Sequence, residues 1–297
     1  MKDLKTIRGM PDLYDEDVER ISIVENICLE TFKSFNFQEF RTPIVENKTL
    51  FQRSVGESSD IIQKEVYEFE DRNGEILCLR PEGTAGLVRA LITNGLMNDE
   101  IKKFFYLGPM FRYERPQKGR KRQFFQAGAE LIGEESTKSD VEIILLAKTI
   151  LEKLNVKYTL EINYLGKEDS LNSYRSYLRK YLQNFKDELS EKVYSRLQRN
   201  PIRAIDSKDS NIQEIFKKAS DISDFLKKEE KESFERTIKS LKDLKIDFNL
   251  NKNLVRGLDY YTGTVFEFTV DGLGAQNAVI GGGTVSYTHL TLPTTSS

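Results

Sequence analysis

Two strand-like runs between Phe104 and Glu130, FFYLGPMFRYERPQKGRKRQFFQAGAE, carry the residues most able to do chemistry. Side chains alternate across a strand with a period of two. On the returning run this puts Phe124, Gln126, Gly128 and Glu130 on one face and Phe125, Ala127, Ala129 and Leu131 on the other. The outgoing run divides in the same way, with Tyr106, Gly108, Met110 and Arg112 opposite Phe105, Leu107, Pro109 and Phe111. The face with Phe125 and Leu131 reads as core. The other reads as a floor, with Arg112, Gln126 and Glu130 beside the flat ring of Phe124, and glycines at 108 and 128 leaving open space. Between the runs lie Arg115, Lys118, Arg120, Lys121 and Arg122, so the hairpin reads as built around an anion. Many basic hairpin loops are only solvated turns. An amide and a carboxylate on a face that also carries aromatics argue for more, because each unpaired polar group facing a core costs roughly 1 to 3 kcal/mol. Something polar should sit on them.

A second constellation, Arg80-Pro81-Glu82-Gly83-Thr84, places a carboxylate and a hydroxyl where a strand gives way to a helix. Glu82 can cap that helix, where an acid also meets the helix dipole; it can equally grip a substrate ammonium. The third constellation is Arg256-Gly257-Leu258-Asp259-Tyr260-Tyr261-Thr262-Gly263, followed by Gly281-Gly282-Gly283. An arginine set among apolar residues and glycines is costly in a sheet unless its guanidinium meets a phosphate or carboxylate. The glycine run permits close backbone approach to a ligand, although alone it is a weak signal.

The elements that must position these groups follow from periodicity. Apolar residues at Val18, Ile21, Val24, Cys28 and Phe32 give a helix from Asp15 to Ser34, closed by Asn36. A strand is expected over Phe37–Glu46, its Pro43 suited to an edge or an end. After a polar segment with Gly56, Ser58, Ser59 and Asp60, strands at Lys64–Glu70 and Glu75–Arg80 flank Asn73-Gly74, a strong hairpin signal. A helix runs from Pro81 to about Asn94, another from Lys138 to Leu154, and a strand from Lys157 to Tyr164. From Gly166 to Lys245 the sequence turns Lys/Glu-rich with helical stripes such as Leu178, Tyr181, Leu182 and Phe185. Such a stretch is either a set of solvated helix faces or an inserted domain with a partner surface. Strand signals return at Phe248–Val255, Thr264–Val270 and Asn277–Ile280. The fold class expected is α+β, a largely antiparallel sheet flanked by helices.

Composition excludes several classes. The chain has 297 residues, 38% hydrophobic and 31% charged, enough for a sizeable core. A net charge of −2 leaves no global basic field, so any nucleic-acid contact must use local patches such as 115–122. Cys28 and Cys78 sit alone in apolar runs, which suggests reduced, buried thiols, and with the lack of a signal-like or membrane-spanning stretch this points to the cytoplasm. The single histidine, His289, lies in an odd tail, which argues against a His-based triad, metal cluster or proton shuttle. From Gly272 to Ser297 no residue is charged, and Thr284–Ser297 is mostly Thr and Ser. Residues 284–297 read as a non-native tail, the product of a cloning or assembly junction, with an ordinary disordered terminus as the alternative.

Taken together and in this order, RPEGTAG (80–86), FRYERPQKGRKRQFFQAGAE (111–130) and RGLDYYTG (256–263) closely resemble the histidyl-tRNA synthetases, class II aminoacyl-tRNA synthetases, from about Arg8 to Gly283. RTPIVE resembles motif 1 of that family, its dimer-forming element; the hairpin resembles motif 2; RGLDYY and the triple glycine resemble its two histidine-specific motifs. The resemblance implies a class II catalytic core in two parts, 1–165 and 246–283, interrupted by a helical insertion at 166–245 that helps hold the tRNA acceptor arm. It also implies a ligase using ATP and Mg²⁺ to form histidyl-adenylate and pyrophosphate, then charging tRNA(His), and a homodimer through motif 1.

Residue roles follow from the same resemblance. Arg112 and Arg256 would be catalytic, flanking the α-phosphate and also touching histidine. Glu114 would accept the adenine amino group, Phe124 would stack on the base and Arg120 would reach the γ-phosphate. Glu82, Thr84 and Gln126 would hold the α-ammonium, with Gly83 and Tyr260 in the pocket, while Glu130 and Tyr261 would read the two ring nitrogens. No protein metal ligand is implied. The sequence departs from the family pattern at Phe125, often histidine there, and after Gly283, where Thr284-Val285-Ser286 replaces Arg-Tyr-Asp. Motif 3 and an anticodon-binding domain do not follow, so the chain reads as truncated, with weak activity or none expected in isolation. A competing reading is a histidine-sensing regulatory subunit of ATP phosphoribosyltransferase, which shares this core; Arg112, Glu114 and Arg256 together favour the synthetase.

Overall fold

A computed structural model describes residues 4–56, 59, 61–98, 100–117, 119–134, 136–207, 209–273 and 277–286. The first helix, α1 (Glu16–Ser34), ends as expected: Asn36 takes the left-handed conformation at φ 63°. The single strand expected next is two short ones, β1 (Gln38–Glu39) and β2 (Val45–Asn47). Pro43, which has no N–H to donate, lies in the break between them. Asn47 caps α2 (Lys48–Val55), accepting from Thr49 N at 3.0 Å.

A π-helical turn at Ile61–Glu65 takes the start of the next expected strand, leaving β3 (Tyr67–Glu70) and β4 (Ile76–Leu79). Asp71 closes their turn by accepting from Asn73 N and Glu75 N at 2.8 and 2.9 Å, with Gly74 at φ 84°. Helix α3 (Thr84–Thr93) precedes the long hairpin β5 (Lys102–Phe111) and β6 (Gln123–Ile132). Next come α4 (Thr137–Lys153) and β7 (Thr159–Tyr164). Four helices follow: α5 (Glu168–Gln183), α6 (Glu191–Arg199), α7 (Ser210–Phe216) and α8 (Lys228–Asp243). The chain then returns through β8 (Asn249–Leu250), β9 (Tyr261–Thr269) and β10 (Ala278–Val285).

The strands form three sheets, ordered β1-β5-β6, β10-β9-β7-β8 and β2-β4-β3. Pairing is mostly antiparallel, with β1–β5 and β7–β8 parallel. Helix α4 joins the first two sheets because it is apolar on two sides. Leu146 and Ile150 pack with Cys28, Phe32 and Phe105 beneath the hairpin. Ile144, Ala147 and Leu151 pack on Leu160, Ile162, Phe266 and Phe268 of the second sheet, with Leu241 of α8. Burying each such side chain contributes roughly 1.5–3 kcal/mol, so α4 fixes the spacing between β6 and β10, the end strands of their sheets.

Helix α5 carries Tyr174, Tyr177 and Tyr181, stacked at 6.2 and 5.9 Å between centroids. The helical stretch is not insulated from the rest, since Leu171, Tyr174, Leu178 and Ile202 share a cluster with Leu254, Val255 and Val265.

Two further expectations change. The strand expected over Phe248–Val255 is only Asn249–Leu250; from Asn251 the chain loops toward β9, held by Asn163 Nδ2, which donates to Lys252 O and Leu254 O at 3.1 and 3.0 Å. Strand β10 runs through Thr284 and Val285, which pair with Thr262 and Tyr261, so the composition break at Gly283 falls inside a strand. Ser58, Asp60, Lys118 and the 287–297 part of the tail, with His289, lie outside the described residues. Both cysteines are buried free thiols.

Candidate active site

The β5–β6 register puts Phe104 opposite Glu130, Tyr106 opposite Gly128 and Gly108 opposite Gln126. The space expected at the two glycines is filled. A Cβ built at Gly128 would overlap the Tyr106 ring, one at Gly83 would overlap the same ring, and one at Gly108 would meet Arg80 Nη2 at 2.7 Å. Tyr106 is thus clamped between two glycine backbones, its hydroxyl 3.4 Å from both Thr84 Oγ1 and Glu130 Oε1. Thr84 Oγ1 donates to Glu130 Oε1 at 2.7 Å.

Glu82 is 2% exposed and accepts from Thr84 N at 2.7 Å and Ala85 N at 2.8 Å, so it satisfies the start of α3 as a cap. Burial pushes both carboxyls up, Glu130 to about 7, and the charge of Glu82 adds to the rise at Glu130. Burial also raises Tyr106 well above the ordinary tyrosine range. The opposite face of the hairpin corrects the core expectation: Ala129 and Leu131 pack under α1 and α4, but Phe125 is 43% exposed and Ala127 is exposed. Helix α4 reaches only the half of β6 that carries Ala129 and Leu131.

Arg112 leaves the end of β5 with Nε donating to Pro81 O at 2.9 Å, and its guanidinium carbon lies 5.1 Å from the Phe124 ring centroid. Glu114 lies beside it, Oε1 4.0 Å from Arg112 Nη1. Arg120 folds back from the loop to place Nη1 2.5 Å from Glu114 Oε2. Arg122 stacks on Tyr113 at 3.8 Å and donates from Nε to Glu114 O at 3.1 Å. Arg115 and Lys121 are exposed. The loop is therefore a laced structure around Glu114 rather than a plain solvated turn.

On the other wall, Arg256 Nη1 lies 3.0 Å from Glu267 Oε2 on β9. The Tyr260 and Tyr261 rings are 4.8 Å apart, and the Arg256 guanidinium carbon is 5.8 Å from the Tyr261 centroid. Tyr261 is raised by burial, and the positive charge of Arg256 opposes that rise. The loop after Arg256 is tied to the helical stretch, because Asn200 Nδ2 donates to Asp259 Oδ1 at 2.7 Å and Arg203 donates to Gly257 O.

Both walls border one open cleft of about 1770 Å³, whose lining includes Glu82, Thr84, Arg112, Glu114, Arg120, Phe124, Gln126, Glu130, Arg256, Tyr260 and Tyr261 and which also runs past Phe125 and Ala127 on the opposite face of β6 to α4 and to Val24 and Cys28 on α1. Gly83 is the exception among the expected site residues; it lies against Tyr106 instead of on the wall. Gln126 Oε1 and Arg256 Nε are buried without a hydrogen-bond partner. Sequence reasoning gave Tyr106 no role beyond its face, and gave none to Glu267 or Asn163. An acid on β9 reads as ordinary strand alternation, so only the fold, which brings the loop before β9 against that strand, exposes its contact with Arg256.

A floor of carboxyl, hydroxyl and amide groups beside two arginine-bearing walls is of the class that can take a small polar, charged molecule next to an anionic one. The family profile of histidyl-tRNA synthetase matches residues 9–291. A histidine–tRNA ligase of Prochlorococcus marinus (strain NATL1A) is 45% identical over 95% of this chain and 67% of its own length. That of Malacoplasma penetrans (strain HF-2) is 43% identical over 97% of this chain and 68% of its own. The apo histidyl-tRNA synthetase of S. aureus superposes with a TM-score of 0.74 at 35% identity, over 95% of this chain and 66% of that one. The chain belongs to the histidyl-tRNA synthetase family, and it spans about two thirds of the length of these relatives.

Proposed function

We propose that this chain carries the histidine-activating site of a histidine–tRNA ligase. The observation that carries the reading is the single cleft in which the Glu82–Thr84–Glu130–Gln126 floor lies beside Arg112 and Arg256. In the proposed reaction the carboxylate of histidine attacks the α-phosphorus of ATP. A carboxyl oxygen–phosphorus bond forms, the bond to the β-phosphate bridging oxygen breaks, and pyrophosphate leaves with that electron pair. The nucleophile is already an anion at neutral pH, so no side-chain base is needed. Arg112 and Arg256 align the reactants and neutralise charge on the α-phosphate, Phe124 stacks on the adenine and Glu114 accepts from its amino group. Arg120, now paired with Glu114, moves to the γ-phosphate when ATP binds.

Glu82, Thr84 and Gln126 hold the α-ammonium of histidine. Glu130 and Tyr261 read the imidazole, which offers one N–H and one lone pair when neutral. Gly83 supports this pocket through Tyr106, and Tyr260 backs Tyr261.

Among the described residues no three His, Cys, Asp or Glu side chains gather around one point. In the proposed reaction Mg²⁺ enters with ATP, carried mainly by phosphate oxygens and water. When bound, the ion would neutralise charge on the outer phosphates.

The second step passes the histidyl group to tRNA(His), with the helical stretch 166–245 supporting the acceptor arm. Exposed Ile44 and Val45 near β2, Phe69 on β3 and Ile76 on β4 support pairing of two copies through the motif 1 region. The regulatory-subunit reading draws on a fold relative, an ATP phosphoribosyltransferase regulatory subunit/histidyl-tRNA synthetase from Bacillus halodurans at 21% identity and a TM-score of 0.67. The Arg112–Glu114–Arg120 lacing and Arg256 favour the ligase, because sensing histidine alone requires no phosphate-binding arginines.

Calorimetric titration with L-histidine and with L-phenylalanine, each with and without ATP, tests the reading. Histidine should bind, ATP should bind beside it, and phenylalanine should be rejected by roughly 10⁴-fold because it leaves the polar groups of the floor unpaired. Comparable affinity for the two amino acids contradicts it.

A further inference from the structure

Arg256 does not stand free on its wall. Its guanidinium and the Glu267 carboxylate are 3.0 Å apart, with side chains only 21% and 19% exposed. Strand register sets the pair: Glu267 of β9 lies opposite Gly281 of β10 on one side and Glu161 of β7 on the other. Gly281 leaves the guanidinium room, since a Cβ built there would overlap Arg256 Nη2 and Nη1. Two further acids stand near Glu267, Asp206 and Glu161, and Glu161 is engaged elsewhere, accepting from Asn251 Nδ2 at 2.8 Å.

We infer that Glu267 is a positioning residue for Arg256: its carboxylate fixes one arm of the guanidinium over the Gly281 backbone and leaves the rest of the fork for a ligand oxygen. A guanidinium is a planar fork of five donors, so fixing one arm orients the others. Asn163 serves the same end from the main chain, holding the carbonyls of Lys252 and Leu254 just before Arg256. Burial raises the Glu267 carboxyl and the adjacent guanidinium opposes the rise, as expected of a partly desolvated pair. The inference rests on the proposed reading of Arg256 as a phosphate ligand.

The test is calorimetric titration of ATP into the chain saturated with histidinol, which carries the imidazole and ammonium but no carboxylate. Wild type, Glu267→Gln, Arg256→Ala and the double variant are compared. Glu267→Gln should weaken ATP binding about tenfold, the loss expected of one charge-assisted contact. The double variant should bind ATP no more weakly than Arg256→Ala alone, and Glu267→Gln should leave histidinol affinity unchanged. Unchanged or tighter ATP binding by Glu267→Gln, while Arg256→Ala weakens it, overturns the inference and leaves the site reading standing. Fully additive losses, or a parallel fall in histidinol affinity in Glu267→Gln, would mean only general structural damage and also overturn it. If Arg256→Ala itself binds ATP like wild type, the phosphate-ligand reading fails first and takes the inference with it.

Discussion

Glu130 is the residue on which the proposed selectivity turns, and its environment sets a conflict between stability and binding. Its folded-state carboxyl titrates near 7, well above the ordinary glutamate range, because it is buried and lies near Glu82. A raised carboxyl favours folding fully below its unfolded value, and that contribution is lost as pH rises through the folded value. The free chain should therefore lose stability between about pH 4.5 and pH 7 through this group, by up to about 3 kcal/mol at 1.36 kcal/mol per pH unit. Glu130→Gln removes the titration but keeps an acceptor for Thr84. Thermal unfolding should show the variant more stable than wild type at pH 8 and equal to it near pH 4, while its affinity for histidine falls. A variant no more stable than wild type at pH 8 would mean that burial does not raise the Glu130 carboxyl, and unchanged affinity would mean that Glu130 does not read the imidazole.

At the scale of elements, the floor depends on two glycine backbones closing on one aromatic ring. Gly128→Ala would drive a methyl into the Tyr106 ring from the paired strand. Urea unfolding should show a loss of roughly 1–3 kcal/mol from overpacking, with weaker histidine binding because the Tyr106 hydroxyl shifts from Thr84 and Glu130. A neutral outcome would mean that the ring is not fixed. Much of this hairpin was legible: alternation by two gave the register face that carries Arg112, Phe124, Gln126 and Glu130, and Asn73-Gly74 gave its smaller neighbour. What alternation could not give is which part of the opposite face is covered. Phe125 and Leu131 share a periodicity, yet α4 covers only the Leu131 end. The strand expected over 251–255 is a loop for a related reason. Its apolar Leu254 and Val255 are buried, as a strand would bury them, but against α5 and Ile202 in a loop held by Asn163. Long-range pairs such as Arg256–Glu267 and Glu267–Gly281 leave no local trace.

At the scale of the molecule, two sheets held apart by α4 border the cleft, and a third, β2-β4-β3, turns apolar side chains outward. Val45, Phe69 and Ile76 are each at least 40% exposed, which is unfavourable for an isolated surface and suits a self-complementary contact. Sedimentation equilibrium should give a species of twice the 34.3 kDa chain mass, and Phe69→Glu should shift it toward the single-chain mass. A wild-type chain that sediments at its own mass at all concentrations would rule out the pairing. The order of the motifs along the chain was visible in the sequence, and so was the helical character of 166–245. The sharing of a core between that stretch and the Arg256 segment was not, because amphipathic period shows that a face is buried without showing against what.

The proposed chemistry requires guanidinium groups from just after β5 and from the loop before β9 to act on one triphosphate beside an imidazole pocket. A crystal structure of the chain with ATP and histidinol would reveal whether they do. Arg112 and Arg256 should both lie within hydrogen-bonding distance of the α-phosphate, with the imidazole ring between Glu130 and Tyr261. An ATP molecule held by only one of these arginines, or histidinol bound away from Glu130, would contradict the proposal.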